Sequence, residues 1–195
     1  SFEVLIKEAL GTSVSSVTEE ELGRFKYLSM RKGEAGWMIT YSFENPIVAA
    51  EQGQDADINV VVCQEALELQ DIAALPQLEY LNLDHTELSE GSLETLSSLK
   101  MITCDYIQLD MLRLALGDAA KGLERLNASH LKSLEELSYF PGLKSLEMED
   151  CREISDISAL AQVKDLENLK LYDMDEVNDF TVLNVLKKLG SLSID

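Results

Sequence analysis

The sequence predicts an α/β solenoid. Each repeat lays one strand into a parallel sheet on a concave face and returns through a short helix, 3-10 turn or loop on the convex face, with a right-handed turn. Three observations carry this. A frame with apolar residues at its first, fourth and sixth positions recurs along the chain. The first ten residues form an apolar stripe at helical spacing, as a lid for such a stack would. Finally, 46% of the 195 residues are hydrophobic and 27% charged, the balance of one well-buried domain rather than a disordered chain.

In chain order, residues 1–24 read as a helical amino-terminal cap. Phe2, Leu5, Ile6, Ala9 and Leu10 share one helical face, and Thr18 with Glu21 spells a capping box ahead of Leu22 and Phe25. From residue 25 to 195 about eight frames follow, starting at 25, 55, 78, 99, 123, 143, 166 and 189. The three clearest begin Leu78-Glu-Tyr-Leu81-Asn-Leu83, Leu143-Lys-Ser-Leu146-Glu-Met148 and Leu166-Glu-Asn-Leu169-Lys-Leu171. Of the 24 framed sites only Asp55 is not apolar, and every interval after the first lies within the 20–29 residues of leucine-rich repeats. The first interval is longer and holds an insertion at about 31–54. There Trp37, Ile39, Tyr41 and Phe43 alternate before Asn45-Pro46, which predicts an extra core-packed strand on the outer face. The whole chain, 1–195, thus reads as a single domain.

Two further patterns follow the frame. Asp71, Asp156 and Asp179 each stand in a motif of apolar, any, Asp, apolar, ending in Leu, where a carboxylate can cap the free N–H groups of a short helical turn. The ninth frame position is Gly33, Cys63, Thr86, Ile107, Leu131, Cys151 and Met174, so that corner is expected to be packed by mainly apolar side chains rather than tied by an asparagine ladder.

Taken together, the frame and the opening Ile6-Lys-Glu-Ala-Leu10-Gly11 followed by Thr18-Glu-Glu-Glu21-Leu22 resemble the roughly 22-residue bacterial leucine-rich repeats of internalin-like proteins. The resemblance implies a non-catalytic module that recognises a protein partner, at the cell surface or secreted. The rival placement is a cytoplasmic regulatory or scaffold subunit, which free cysteines and the lack of a basic-then-apolar opening segment fit equally well. A third reading is the targeting domain of a larger enzyme. No lid follows Ile194, so a further domain or a partner is expected there.

The formal charge of −20, from 16 Lys and Arg against 36 Asp and Glu, repels phosphate backbones and anionic lipid and argues against nucleic-acid binding. No run of 18 apolar residues is present, which argues against membrane insertion. Cys63, Cys104 and Cys151 lie too far apart in sequence for a zinc motif and are odd in number, so they read as buried free thiols. The two histidines, His85 and His130, both stand at position eight, two strands apart, and read as surface residues. No phosphate loop, HExxH, GxSxG or dinucleotide glycine motif occurs. Neither catalytic residues, nor a cofactor, nor a bound metal is expected.

Function is therefore expected on the concave face, where positions three, five and seven point. Position three contributes Tyr27, Tyr80, Met101 and Arg125. Position five contributes Asn59, Asn82, Thr103, Asn127, Glu147 and Lys170, and position seven Asp84, Asp105, Glu149 and Tyr172; Tyr106 joins from position eight. Exposed tyrosines beside carboxylates have the composition of an interface core and rim, and a net-acidic strip suits a basic segment of a protein partner. Asp84 and Asp105 are expected as neighbours on adjacent strands, with a calcium site between them and Glu147 as a lesser alternative.

Overall fold

The computed structural model describes residues 1–83 and 86–195. Helix α1 (Phe2–Leu10) ends at Gly11, whose positive φ of 70° lets its N–H close on the Lys7 carbonyl. The one-turn α2 (Glu19–Leu22) carries the capping box spelled in the sequence: the Thr18 hydroxyl accepts from the Glu21 N–H, and the Glu21 carboxylate accepts from the Thr18 N–H. Strands β1 (Tyr27–Gly33) and β2 (Gly36–Ser42), helix α3 (Pro46–Glu51) and strand β3 (Asn59–Cys63) follow, then helix α4 (Leu69–Ala73). The regular part alternates β4 (Tyr80–Asn82), β5 (Met101–Asp105), helix α5 (Leu109–Leu116), β6 (Arg125–Ser129), β7 (Ser145–Glu149), β8 (Asn168–Tyr172) and β9 (Ser191–Ile194). Short 3-10 turns at Glu135–Tyr139, Ser158–Gln162 and Thr181–Val185 make the later returns.

These strands form one open sheet in the order β3-β2-β1-β4-β5-β6-β7-β8-β9. From β1 through β4 to β9 every pairing is parallel, one strand per repeat. The frame positions align without slippage: Leu28, Leu81, Ile102, Leu126, Leu146 and Leu169 stand side by side, all at most 1% exposed. Each such leucine contributes about 1.5–3 kcal/mol of burial, and no single repeat could bury its own, so stacking is what makes the core. Beyond the strands the corner is closed by Ile107, Leu131, Cys151 and Met174, and Cys63 closes the end of β3, all of them buried. In place of an asparagine ladder the backbone itself runs on: Tyr106, His130 and Asp150 donate their N–H groups to the carbonyls of Ser129, Glu149 and Tyr172 in the next repeat. Tyr106, His130 and Asp150, and Asp173 one repeat further on, all adopt the left-handed conformation, at φ of 51–59°.

The insertion departs from the sequence reading. Its strand is not on the outer face; β2 lies in the plane of the sheet, antiparallel to both β1 and β3. The alternation was sound, since Ile39 and Tyr41 are buried and Trp37 and Phe43 pack on the same core. A tight hairpin makes the placement possible. Gly36 sits at φ 133°, and a Cβ there would stand 2.4 Å from the Cys63 carbonyl oxygen, so no other residue fits without displacing β3.

Because β3 takes its register from β2, the second frame slips by one residue. Val61 and Cys63 point inward while Ile58 and Val60 are exposed. Asn59, expected on the concave face, instead pairs with Tyr41 on the core side of the sheet edge. The run Ile58–Cys63 is apolar at five of six positions, so periodicity could not fix its face. The aspartate pattern also divides. Asp156 and Asp179 accept the N–H groups of Ser158 and Thr181 at 2.7 and 2.8 Å, as caps do. Asp71 instead sits inside α4 and accepts the Glu68 N–H, with Glu68 as the capping residue.

Candidate functional site

Three rows of side chains cross the concave face. The first joins Tyr27, Tyr80, Met101, Arg125, Ser145 and Asn168; the second joins Ser29, Asn82, Thr103, Asn127, Glu147 and Lys170; the third joins Asp105, Ser129, Glu149 and Tyr172. Parallel pairing at constant register puts every third, fifth or seventh frame position beside its counterpart about 4.8 Å away. Asp84, expected beside Asp105, lies outside the described residues, as does His85.

Several expected contact residues are engaged within the chain. The rings of Tyr27 and Tyr80 stack at 4.4 Å with 6° between planes, and the Tyr80 hydroxyl donates to Thr103 Oγ1 at 3.1 Å. That leaves Tyr80 only 7% exposed, part of the wall rather than a free anchor. Arg125 meets Glu51, at the end of α3, across 2.5 Å, so the insertion reaches over the start of the strands as far as β6. Glu147 and Lys170 pair on adjacent strands at 3.0 Å, and the hydrogen bond to Glu147 raises the Lys170 pKa.

A second group of side chains gathers at the other end, where β5 to β8 give way to the left-handed corner. Tyr106 is 60% exposed, and its ring lies on the His130 imidazole at 3.9 Å with 14° between planes. Asp105 Oδ1 is 2.8 Å from His130 Nδ1, which fixes the imidazole under the tyrosine. Next in the same corner stand Glu149, Asp150 and Asp173, whose carboxylate oxygens lie within 4.8 Å of one another. Arg152 pairs with Asp150 at 2.7 Å, and Lys132 with Glu153 at 3.1 Å. Between these groups an open cleft of about 560 Å³ is lined by Tyr106, His130, Leu131, Lys132, Asp150, Arg152 and Glu153. Such a corner offers an aromatic platform and concentrated negative charge. Its oxygen donors are of the kind hard cations take, although Asp150 is already neutralised by Arg152. Of the calcium grouping expected between Asp84, Asp105 and Glu147, Glu147 stands in the second row and Asp105 in the third, and Asp84 lies outside the described residues.

Asp105, Tyr106, Glu149 and Tyr172 were expected on this face, whereas His130 was read as a surface residue and Asp173 was not singled out. The signal was present in the spacing: Tyr106 and His130 are 24 residues apart, and Asp150 and Asp173 are 23 apart, one repeat in each case.

No family model matches the chain, and no curated protein matches it. Among solved structures it is similar to internalin C2 of Listeria monocytogenes, with 24% identity and a TM-score of 0.51 over 69% of this chain and 59% of that one. A second internalin of the same organism (inlF) aligns with 24% identity and a TM-score of 0.48, over 69% of this chain and 39% of that one. The chain thus spans well under two thirds of either protein. With a repeating parallel sheet, short helices and 3-10 turns on its convex side, and this likeness, the chain has an internalin-like leucine-rich-repeat solenoid fold.

Proposed function

We propose that this chain is a non-catalytic recognition module that holds a basic segment of a protein partner against the concave face, centred on the corner formed by Asp105, Tyr106, His130, Glu149 and Tyr172. The observation that carries this reading is the Tyr106–His130 stack beside three clustered carboxylates. An exposed, rigid ring anchored from below gives contact area at low entropic cost, and the acidic rim attracts and orients a cationic segment. The chain's net charge of −20 adds long-range attraction for such a partner. The internalin-like fold supports a protein-interaction role, and with it a placement at the cell surface or in secretion. No helix of the described residues is long and apolar enough to cross a membrane.

The test is titration of a basic peptide with one central aromatic residue, followed by calorimetry at two salt concentrations. Binding should weaken at least tenfold in the variant Tyr106→Ala with Glu149→Gln, and should weaken with salt. Unchanged affinity in that variant would remove the proposed site.

A further inference from the structure

Within the acidic corner, the two nitrogens of the His130 ring are in different situations. An ionised carboxylate only accepts hydrogen bonds, so the contact of 2.8 Å between Asp105 Oδ1 and His130 Nδ1 places the proton of the neutral ring on Nδ1. Nε2 is then an acceptor with a free lone pair. Among the described residues Nε2 makes no hydrogen bond, and it is not sealed from solvent. The side chain is 33% exposed and lines the cleft of about 560 Å³. Its position is held from several directions. The His130 N–H donates to the Glu149 carbonyl at 3.1 Å, the His130 carbonyl accepts from Gln108 Nε2 at 3.0 Å, and the Tyr106 ring stacks on the imidazole at 3.9 Å. The neighbouring repeats on both sides therefore fix a single acceptor at the mouth of an acidic, aromatic corner.

We infer that His130 is the specificity residue of this corner: Nε2 accepts an N–H from a Lys or Arg side chain of the basic segment, so recognition requires the neutral imidazole and is released when the ring takes a proton. This rests on the corner being the docking site proposed above. Histidine is the side chain whose charge ordinarily changes between pH 5 and 8, while carboxylates ordinarily titrate below that window. A proton on Nε2 has two effects. It turns the acceptor into a donor, which then meets the partner's N–H groups donor to donor. It also alters the local charge. The charged and titratable groups around the ring are Asp105 and the Tyr106 phenol from the end of β5, Lys132 on its own turn, and Asp150, Arg152 and Glu153 from the next repeat. Glu149 and Asp173 have carboxylate oxygens within 4.8 Å of that of Asp150. Asp150 is paired with Arg152 and Glu153 with Lys132, which leaves Asp105 as the unbalanced charge in contact with the ring. An imidazolium neutralises it. An incoming cation thus loses its acceptor and the attraction of Asp105 together.

The probe is the peptide acetyl-Gly-Arg-Arg-Trp-Arg-Arg-Gly-amide, which carries no group that titrates between about pH 6 and pH 8. Calorimetry with the whole chain at constant ionic strength should give an affinity about fivefold or more weaker at pH 6 than at pH 8. His130→Gln keeps an N–H for Asp105 but takes no proton in this range, so its affinities at the two pH values should agree within about twofold. His85→Gln, at the other histidine, should keep the full difference. Linkage is reciprocal, so saturating peptide should also lower the pKa of His130, read by nuclear magnetic resonance from its carbon-bound ring protons in the unsubstituted chain. A histidine that only props Tyr106 would titrate alike with and without peptide. Equal affinity of the unsubstituted chain at the two pH values, a difference that survives in His130→Gln or vanishes in His85→Gln, or a His130 titration unmoved by peptide would overturn the inference and leave the corner as the docking site. A peptide that binds at neither pH removes the corner itself, and this role with it.

Discussion

Leu126 lies at the centre of the stack, wholly buried, with Ile102 on one side and Leu146 on the other. Changing it to alanine removes three carbons from a column whose neighbours are fixed by backbone bonds on both sides. The gap therefore cannot close fully, and the loss falls in the middle of the range for buried leucines, about 3–4 kcal/mol. The same change at Leu192 on β9 starts from a side chain 47% exposed, with no strand beyond it in the sheet, so the loss is about 1 kcal/mol. With a urea slope of about 3 kcal/mol per molar for a chain of this size, the unfolding midpoints should fall by about 1 M and about 0.3 M. Circular dichroism across a urea series measures both. Equal shifts, or a Leu126→Ala cost below about 1 kcal/mol, would refute a single continuous core.

Other consequences concern the caps, the hairpin and the thiols. Hydrogen bonds from the Ser158 and Thr181 N–H groups hold Asp156 and Asp179 below the ordinary aspartate pKa of 3.8, so their stabilisation is present above that pH and is lost as pH falls through the lower folded values. Asp156→Asn with Asp179→Asn keeps the caps but not the ionisation, and acid titrations of stability should show a shallower loss below pH 4. Gly36→Ala should cost at least about 2 kcal/mol, from the positive φ and the Cys63 carbonyl together, and should lower the thermal midpoint. Burial pushes the Cys63 and Cys151 thiols up, so both should resist alkylation at pH 8 in the folded chain and react on unfolding; rapid native labelling of Cys151 would contradict its placement.

The regular part of the fold was legible because two periods coincide. Alternation within a strand and the repeat of twenty-odd residues both place Leu81, Ile102, Leu126 and Leu146 inward, so Met101, Thr103, Arg125 and Asn127 had to point outward. The insertion has only one of those periods. Nothing in residues 36–42 states that their partner is β1 on one side and β3 on the other, and the valines of β3 fit either face. At the site, composition marked the acid and aromatic groups but not who had already claimed them. Arg125 is taken by Glu51, 74 positions earlier, and Tyr80 by Tyr27, 53 positions earlier. The Asp105–His130 pair joins position seven of one repeat to position eight of the next, a contact that follows only from the left-handed corner.

Nuclear magnetic resonance titration of the chain with the basic, aromatic-centred peptide gives the most direct reading of where recognition occurs. Amide shifts should concentrate at Asp105, Tyr106, His130, Glu149 and Tyr172 and leave the convex turns at Glu135–Tyr139 and Ser158–Gln162 unmoved. Shifts centred on those convex turns, with the corner silent, would contradict the assignment.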